Sequence, residues 1–239
     1  MSKTICIIGR GHSGTRVISF TLKESGVFMG KSLNRYGDKA PYLKMWKAAR
    51  LLGKYVLETG EYNWDFSSIH KMTPSPIFVK LVTSYLHDLT NNSSFYKGWK
   101  LPETTLIYPW LLKMFPDFYY IHWIRDPRDN ILFHHITDYL NFWNIKKERT
   151  GNIYKDRAIS WKYQWDIIKA CPGPKHFIRI KFEDFVLKQN ETLKKLEEFL
   201  DINLVRIPVK KDTVGRWKNK PEVHIFDFLK DGMKELNYI

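Results

Sequence analysis

Hydrophobic residues along this 239-residue chain fall into short unbroken runs and longer, spaced ones. Three runs are short and rich in β-branched and aromatic residues: Thr4–Ile8, Phe118–Ile124 and His176–Phe182. That is the pattern of strands buried on both faces. Between them the spacing turns helical. Thr15–Ser25 carries Val17, Ile18 and Leu22 on one face, and Gly26 follows as a stop. Pro41 suits the first turn of a helix running to about Leu52. Helices are also predicted over Pro76–Leu89, over Glu103–Phe115 with Leu106, Trp110 and Met114 aligned, from about Pro127, and over Tyr154–Ala170. Asn190 can cap a helix that turns Leu193, Leu196 and Leu200 inward. Pro221–Leu236 closes the chain as a helix with Ile225, Phe228, Leu229 and Leu236 on one stripe. Alternating strands and helices predict an α/β fold, with a parallel central sheet flanked by helices. The linker candidates Asn91–Ser94 and Cys171–Pro174 are too short to divide it, and no repeat interrupts it, so one domain over residues 1–239 is expected.

Composition adds a charge. Thirty-nine Lys and Arg against 25 Asp and Glu give +14, which favours an anionic partner: nucleic acid, membrane surface, nucleotide or polyanionic substrate. Hydrophobic residues, at 44%, are enough for a sizeable core and exclude disorder. No run approaches the roughly 18 apolar residues of a membrane span. The opening run Ile5–Ile8 is shorter than a secretory segment requires. Two cysteines, Cys6 and Cys171, make neither a disulfide framework nor a zinc site. A cytoplasmic protein is expected.

Three segments carry candidate chemistry. The first follows the first strand: Gly9-Arg10-Gly11-His12-Ser13-Gly14-Thr15-Arg16. Glycines allow a sharp turn, and the exposed N–H groups meet a helix N-terminus, a geometry that cradles phosphate or sulfate. Gly9 and Gly14 have Walker A spacing, but Thr15-Arg16 stands where Lys-Ser/Thr would, so the phosphate lysine and the magnesium hydroxyl are missing. The second is Arg125-Asp126-Pro127-Arg128-Asp129 at the end of the second strand, where open parallel sheets bind ligands. Its arginines can fork phosphate oxygens or pair with their own aspartates. The third is Gly215-Arg216-Trp217-Lys218-Asn219, a glycine hinge with two cations and an indole that can cover a nucleotide.

Taken in order, these segments resemble the PAPS-dependent sulfotransferase family, whose donor is 3′-phosphoadenosine 5′-phosphosulfate. His12-Ser13-Gly14-Thr15 resembles its phosphosulfate loop, and Trp99-Lys100-Leu101-Pro102-Glu103 its Lys-x-Pro segment. Arg125–Asp129 resembles the 3′-phosphate motif, and Ile180–Phe185 the Tyr-Glu-Asp-Leu segment ahead of a helix ending in Phe-Leu, here Phe199-Leu200. Gly215-Arg216-Trp217 resembles the loop that closes over the donor. Two positions depart from the pattern. The loop cation is His12, with Arg10 and Arg16 nearby to share its role. The serine expected eight residues beyond Arg125 is Phe133, flanked by His134 and His135, so either a histidine contributes or that contact is lost.

The resemblance implies in-line sulfuryl transfer from PAPS to a hydroxyl or amine, releasing PAP, with no metal required. It implies a donor site at Arg10, Gly11, His12, Ser13, Gly14, Thr15, Arg16, Arg125, His134, Arg216, Trp217 and Lys218. It places His12 and Lys100 beside the transferring group. A base for the acceptor is expected at Asp38, with Glu103 and His70 in reserve. Segments 54–75 and 139–152, rich in aromatic and basic residues, are expected to line an acceptor such as a glycan, a small molecule or a tyrosyl peptide. Rival readings are a P-loop nucleoside or sugar kinase and a basic nucleic-acid binder. Against the second, the cations gather at strand ends rather than along one helix, and no nucleic-acid partner is expected.

Overall fold

The computed structural model describes residues 2–220, 223 and 226–239. Four strands form one parallel sheet: β1 (Lys3–Ile8), β4 (Tyr96–Lys100), β5 (Tyr119–Ile124) and β6 (His176–Lys181), in the order β4-β1-β5-β6. Side chains alternate across a strand. Ile5 and Ile7 of β1 therefore pack with Ile121 and Trp123 on one face, while Cys6 and Ile8 pack with Trp99 and Tyr120 on the other. Helices cover both. The first face holds α1 (Thr15–Glu24), α8 (Phe182–Leu187) and α9 (Gln189–Leu200), the last through Leu193, Leu196 and Leu200. The other holds α2 (Leu43–Gly53), α4 (Pro76–Thr90), α5 (Tyr108–Met114) and α7 (Ile153–Lys169). Burial on both sides is why these strands read as unbroken apolar runs. A third cluster packs α10 (Lys230–Glu235), through Met233, against Trp161 and Trp165 of α7. Among the described residues no helix is long and apolar enough to cross a membrane.

Several elements differ from expectation. β4 escaped notice because Lys97, Gly98 and Lys100 interrupt it; both lysines are buried. A hairpin, β2 (Leu57–Gly60) with β3 (Asn63–Asp65), lies within a segment read only as acceptor lining. Its turn residues Glu61 and Tyr62 both have positive φ, a conformation that Asn-Gly would have signalled. The expected helix Glu103–Phe115 is split into a 3-10 segment, Pro102–Ile107, and α5, because Pro109 cannot continue an earlier helix. Pro41 stands ahead of α2, which starts at Leu43, and follows a cis bond from Ala40. α3 (Ser67–Lys71) is an added short helix, and the helix at Pro127 is the single turn α6 (Pro127–Asn130). Asn190 lies inside α9, whose N-cap is Lys188. Of the expected closing helix, the described residues form Lys230–Glu235, after a tight turn at Asp227–Leu229; Pro221, Glu222, His224 and Ile225 lie outside the described residues.

Register places the site. Ile7 pairs with Lys100, Ile8 with His122, and Ile124 with Lys181. Lys100, Gly9, Arg125 and Phe182 therefore emerge along one edge. The chain crosses from β4 over β1 to β5 there, so the loop after β1 opens at the switch point of the sheet.

Candidate active site

The loop from Gly9 to Thr15 is held by its edges. The Gly9 N–H donates to Thr105 Oγ1 at 2.8 Å. The Ser13 carbonyl accepts from Trp123 Nε1 at 3.0 Å, the Gly11 carbonyl from Asn130 Nδ2 at 3.1 Å, and the His12 carbonyl from Arg125 Nη1 at 3.0 Å. With the carbonyls tied back, the N–H groups of Gly11, His12, Gly14, Thr15 and Arg16 have no intrachain partner among the described residues. His12 (φ 63°) and Gly14 (φ 83°) turn through the left-handed region, which makes such a run of amides concave. Glycine is required beneath it. A Cβ on Gly14 would lie 2.4 Å from the Phe182 ring, and one on Gly11 2.1 Å from the His135 ring.

Arg10 does not face this cradle. Its buried guanidinium grips Asp138 through Nε at 3.0 Å and Nη2 at 2.7 and 2.8 Å. The remaining N–H groups donate to the carbonyls of Gly11, Asn130 and Phe133. All five donors are spent, so Arg10 shapes the loop and has nothing left for a ligand. This corrects the expectation that it shares the role of loop cation. Arg16 and Lys218 are exposed and without ion pairs among the described residues.

Arg125 is buried against the Phe182 ring, 4.8 Å from its centroid. It also contacts Asp129 Oδ2 at 3.4 Å and the Thr213 carbonyl, while its Nε has no partner. Burial lowers its pKa, Asp129 and Glu183 oppose this, and Arg216 lowers it further. Arg128 pairs with Asp126 instead, as the local alternative allowed. Asp129, wholly buried, accepts from the Gly215 N–H at 2.7 Å and the Trp217 N–H at 2.9 Å. Trp217 is half-buried and covers Arg128, whose guanidinium lies 3.9 Å from the ring centroid. Arg216 reaches Asp212. The 215–219 loop is thus docked beside Arg125, and Trp217 belongs to the site edge rather than the core.

On the other side of the loop, Lys100 leaves β4 buried and donates to the Tyr36 carbonyl at 2.8 Å and to Asp38 Oδ1. Asp38 Oδ2 accepts from Asn34 Nδ2 at 2.9 Å. Burial lowers the Lys100 pKa, Asp38 raises it, and Arg16 lowers it. Glu103 lies nearby under Trp46, whose Nε1 donates to Oε1 at 3.0 Å; Oε2 has no partner. Burial and the Asp38 charge push its pKa up to about 7. His70 is elsewhere, lining a separate cleft with Pro109, Lys113 and Cys171.

Two histidines flank the cradle. His12 has its pKa lowered by burial and by Arg10 and Arg125, which favours the neutral ring over the expected cation. His135, which the sequence marked only as a neighbour of Phe133, sits against Gly11 with Nδ1 accepting from the Thr137 N–H at 3.3 Å. Burial, then Arg10, His12 and Lys100, lowers its pKa well below the usual range. Phe133 is exposed, 5.6 Å from the His12 ring, and His134 turns outward onto Tyr139.

Beyond Asp138 and His134 opens a cavity of about 500 Å³, walled mainly by Tyr139, Leu140, Phe142, Ile153, Arg157 and Ile159. Segment 139–152 thus lines a cavity. Lys54–Ser75 supplies no side chain to it. Trp46 joins it to the Glu103 side, meeting the Phe142 ring edge-on at 5.7 Å.

Residues 5–206 match the model of the sulfotransferase family, and the chain belongs to that family. No curated protein matches it as a relative. Its fold is similar to that of a sulfotransferase domain from the curacin biosynthetic pathway, with a TM-score of 0.56 at 14% identity, covering 100% of this chain and 99% of that one. It is similar also to the sulfotransferase domain of the Synechococcus PCC 7002 olefin synthase, with a TM-score of 0.58 at 13% identity, covering 100% and 95%.

Proposed function

We propose that this enzyme transfers a sulfuryl group from PAPS to an acceptor hydroxyl or amine and releases PAP. One observation carries the reading. The amides of Gly11, His12, Gly14, Thr15 and Arg16 point into one concave loop without partners among the described residues, and the buried Arg125 beside it keeps an unpartnered Nε. Unpartnered donors gathered at one edge of the sheet suit the oxygens of a polyanion. PAPS, when bound, supplies the activated sulfuryl group and a leaving phosphate.

The chain's own residues divide the work. The amides of Gly11, His12, Gly14 and Thr15, with Ser13, hold the 5′ oxygens, and neutral His12 donates a hydrogen bond there. Lys100, aimed by Asp38, neutralises charge developing on the transferring group. Arg125, with its free Nε, and Arg216 take the 3′-phosphate, Trp217 covers the nucleoside, and Arg16, His134 and Lys218 draw the anion in. Asp38 is committed to Lys100 and Asn34, so Glu103, with a free oxygen and a pKa near neutrality, is the better acceptor for the proton. The free thiols of Cys6 and Cys171 suit a reducing, cytoplasmic setting.

Thermal unfolding with adenosine 3′,5′-bisphosphate tests the reading. The bisphosphate raises Tm, and labelled PAPS transfers sulfate to an acceptor. A Tm raised by ATP-magnesium or duplex DNA but not by the bisphosphate favours the kinase or nucleic-acid reading instead.

A further inference from the structure

The cavity beyond Asp138 narrows the acceptor class, if the sulfuryl-transfer reading above holds. Its volume suits a small organic molecule. Tyr139, Leu140, Phe142, Ile153 and Ile159 give it apolar walls, and Tyr139, Phe142 and Ile153 stay exposed. Such walls offer few partners for the hydroxyl groups of a neutral sugar.

The charges are unevenly committed. Arg157 is nine-tenths buried and forms no ion pair among the described residues. Its Nη1 donates to the carbonyls of Ile131 at 3.0 Å and Leu132 at 2.8 Å; its Nε is unpartnered, and its Nη2 makes no hydrogen bond among the described residues. The Arg149 guanidinium lies over the Tyr139 ring, 4.6 Å from the centroid, and also lacks an ion pair among the described residues. The carboxylates are placed differently. Asp138 is spent on Arg10, Asp156 accepts from the Thr150 N–H and hydroxyl, and Glu148 is exposed beside Arg149. Lys147 is matched by Glu58. The inner wall thus buries a guanidinium with no carboxylate in ion-pair contact among the described residues, Asp138 acting on it only from a distance, a costly state that an incoming anion relieves.

We infer that the acceptor is an amphipathic hydroxy acid: an apolar body in the cavity and a carboxylate against Arg157, with Arg149 at the rim.

The test uses 3-(4-hydroxyphenyl)propanoate and its methyl ester, titrated separately into the full chain without donor and followed by calorimetry. The acid is expected to bind about tenfold or more tightly than the ester, the worth of one charge-assisted hydrogen bond. Arg157→Gln abolishes that preference and Arg157→Lys restores part of it. Arg149→Gln, at the exposed rim, reduces it and serves if the Arg157 variants do not fold. Equal binding of acid and ester, no binding of either, or a preference unchanged in the folded variants overturns the inference. The bisphosphate Tm shift, measured on the same samples, reports separately on the donor reading.

Discussion

At the scale of single residues, the buried carboxylates decide most. The Glu103 carboxyl, raised from the ordinary carboxylate range to about 7, is stabilised in its protonated form by folding. Its contribution is therefore fully present below the unfolded pKa, near 4.5, and is lost as pH rises through about 7. Glu103→Gln, which mimics the protonated group, is expected to be more stable than the parent above pH 7, by up to the order of 3 kcal/mol. The difference should vanish below pH 4.5. Turnover should move the other way: the parent gains activity through pH 7 and the Gln variant has no such rise. Denaturant melts and rate profiles across pH 4–9 check both. Equal stability at all pH values would show the carboxyl is not held protonated. Asp138 anchors a buried arginine. Asp138→Ala leaves that charge uncompensated and is expected to cost about 3–5 kcal/mol in chemical unfolding. A loss under 1 kcal/mol would mean that the three backbone carbonyls alone hold Arg10. The sequence exposed the loop, with its glycines and histidine, but not this anchor. Asp138 lies 128 residues from Arg10, and a pairing that only the fold creates leaves no local spacing to read.

At the scale of elements, the 215–219 loop and the short helix α6 act together. Asp129 holds both the loop amides and Arg125. Asp129→Ala should therefore raise hydrogen exchange across residues 210–220 and weaken bisphosphate binding together, while Asp212→Ala, whose carboxylate pairs with Arg216 on the loop's exposed side, leaves exchange little changed. Unaltered protection in the first variant would separate the loop from α6. Legibility among elements follows burial. β1, β5 and β6 could be read because apolar residues fill both of their faces. β4 could not, since Lys97 and Lys100 place cations within the sheet: Lys97 reaches the Asn92 carbonyl, and Lys100 the Tyr36 carbonyl and Asp38. The 3-10 segment Pro102–Ile107 looks helical in its spacing, and only the prolines at either end mark its separate geometry.

At the scale of the whole molecule, the alternation of strands and helices conveyed the architecture, whereas strand order is a long-range property that no local pattern carries. That order has a consequence for how the chain is made. β1 leaves the ribosome before the other strands of its sheet, yet it lies between partners that start at Tyr96 and Tyr119. Until those segments have been synthesised it has no sheet to join, and pairings of such sequence separation are slow to form. An apolar strand with both edges open is also a template for unwanted association. The loop from Gly9 to Thr15 inherits the same delay, because Trp123, Arg125 and Asn130 hold its carbonyls. β1 and this loop are thus among the last segments to take their final form, and a nascent chain halted before residue 130 carries the whole glycine-rich motif without all the parts that give it shape.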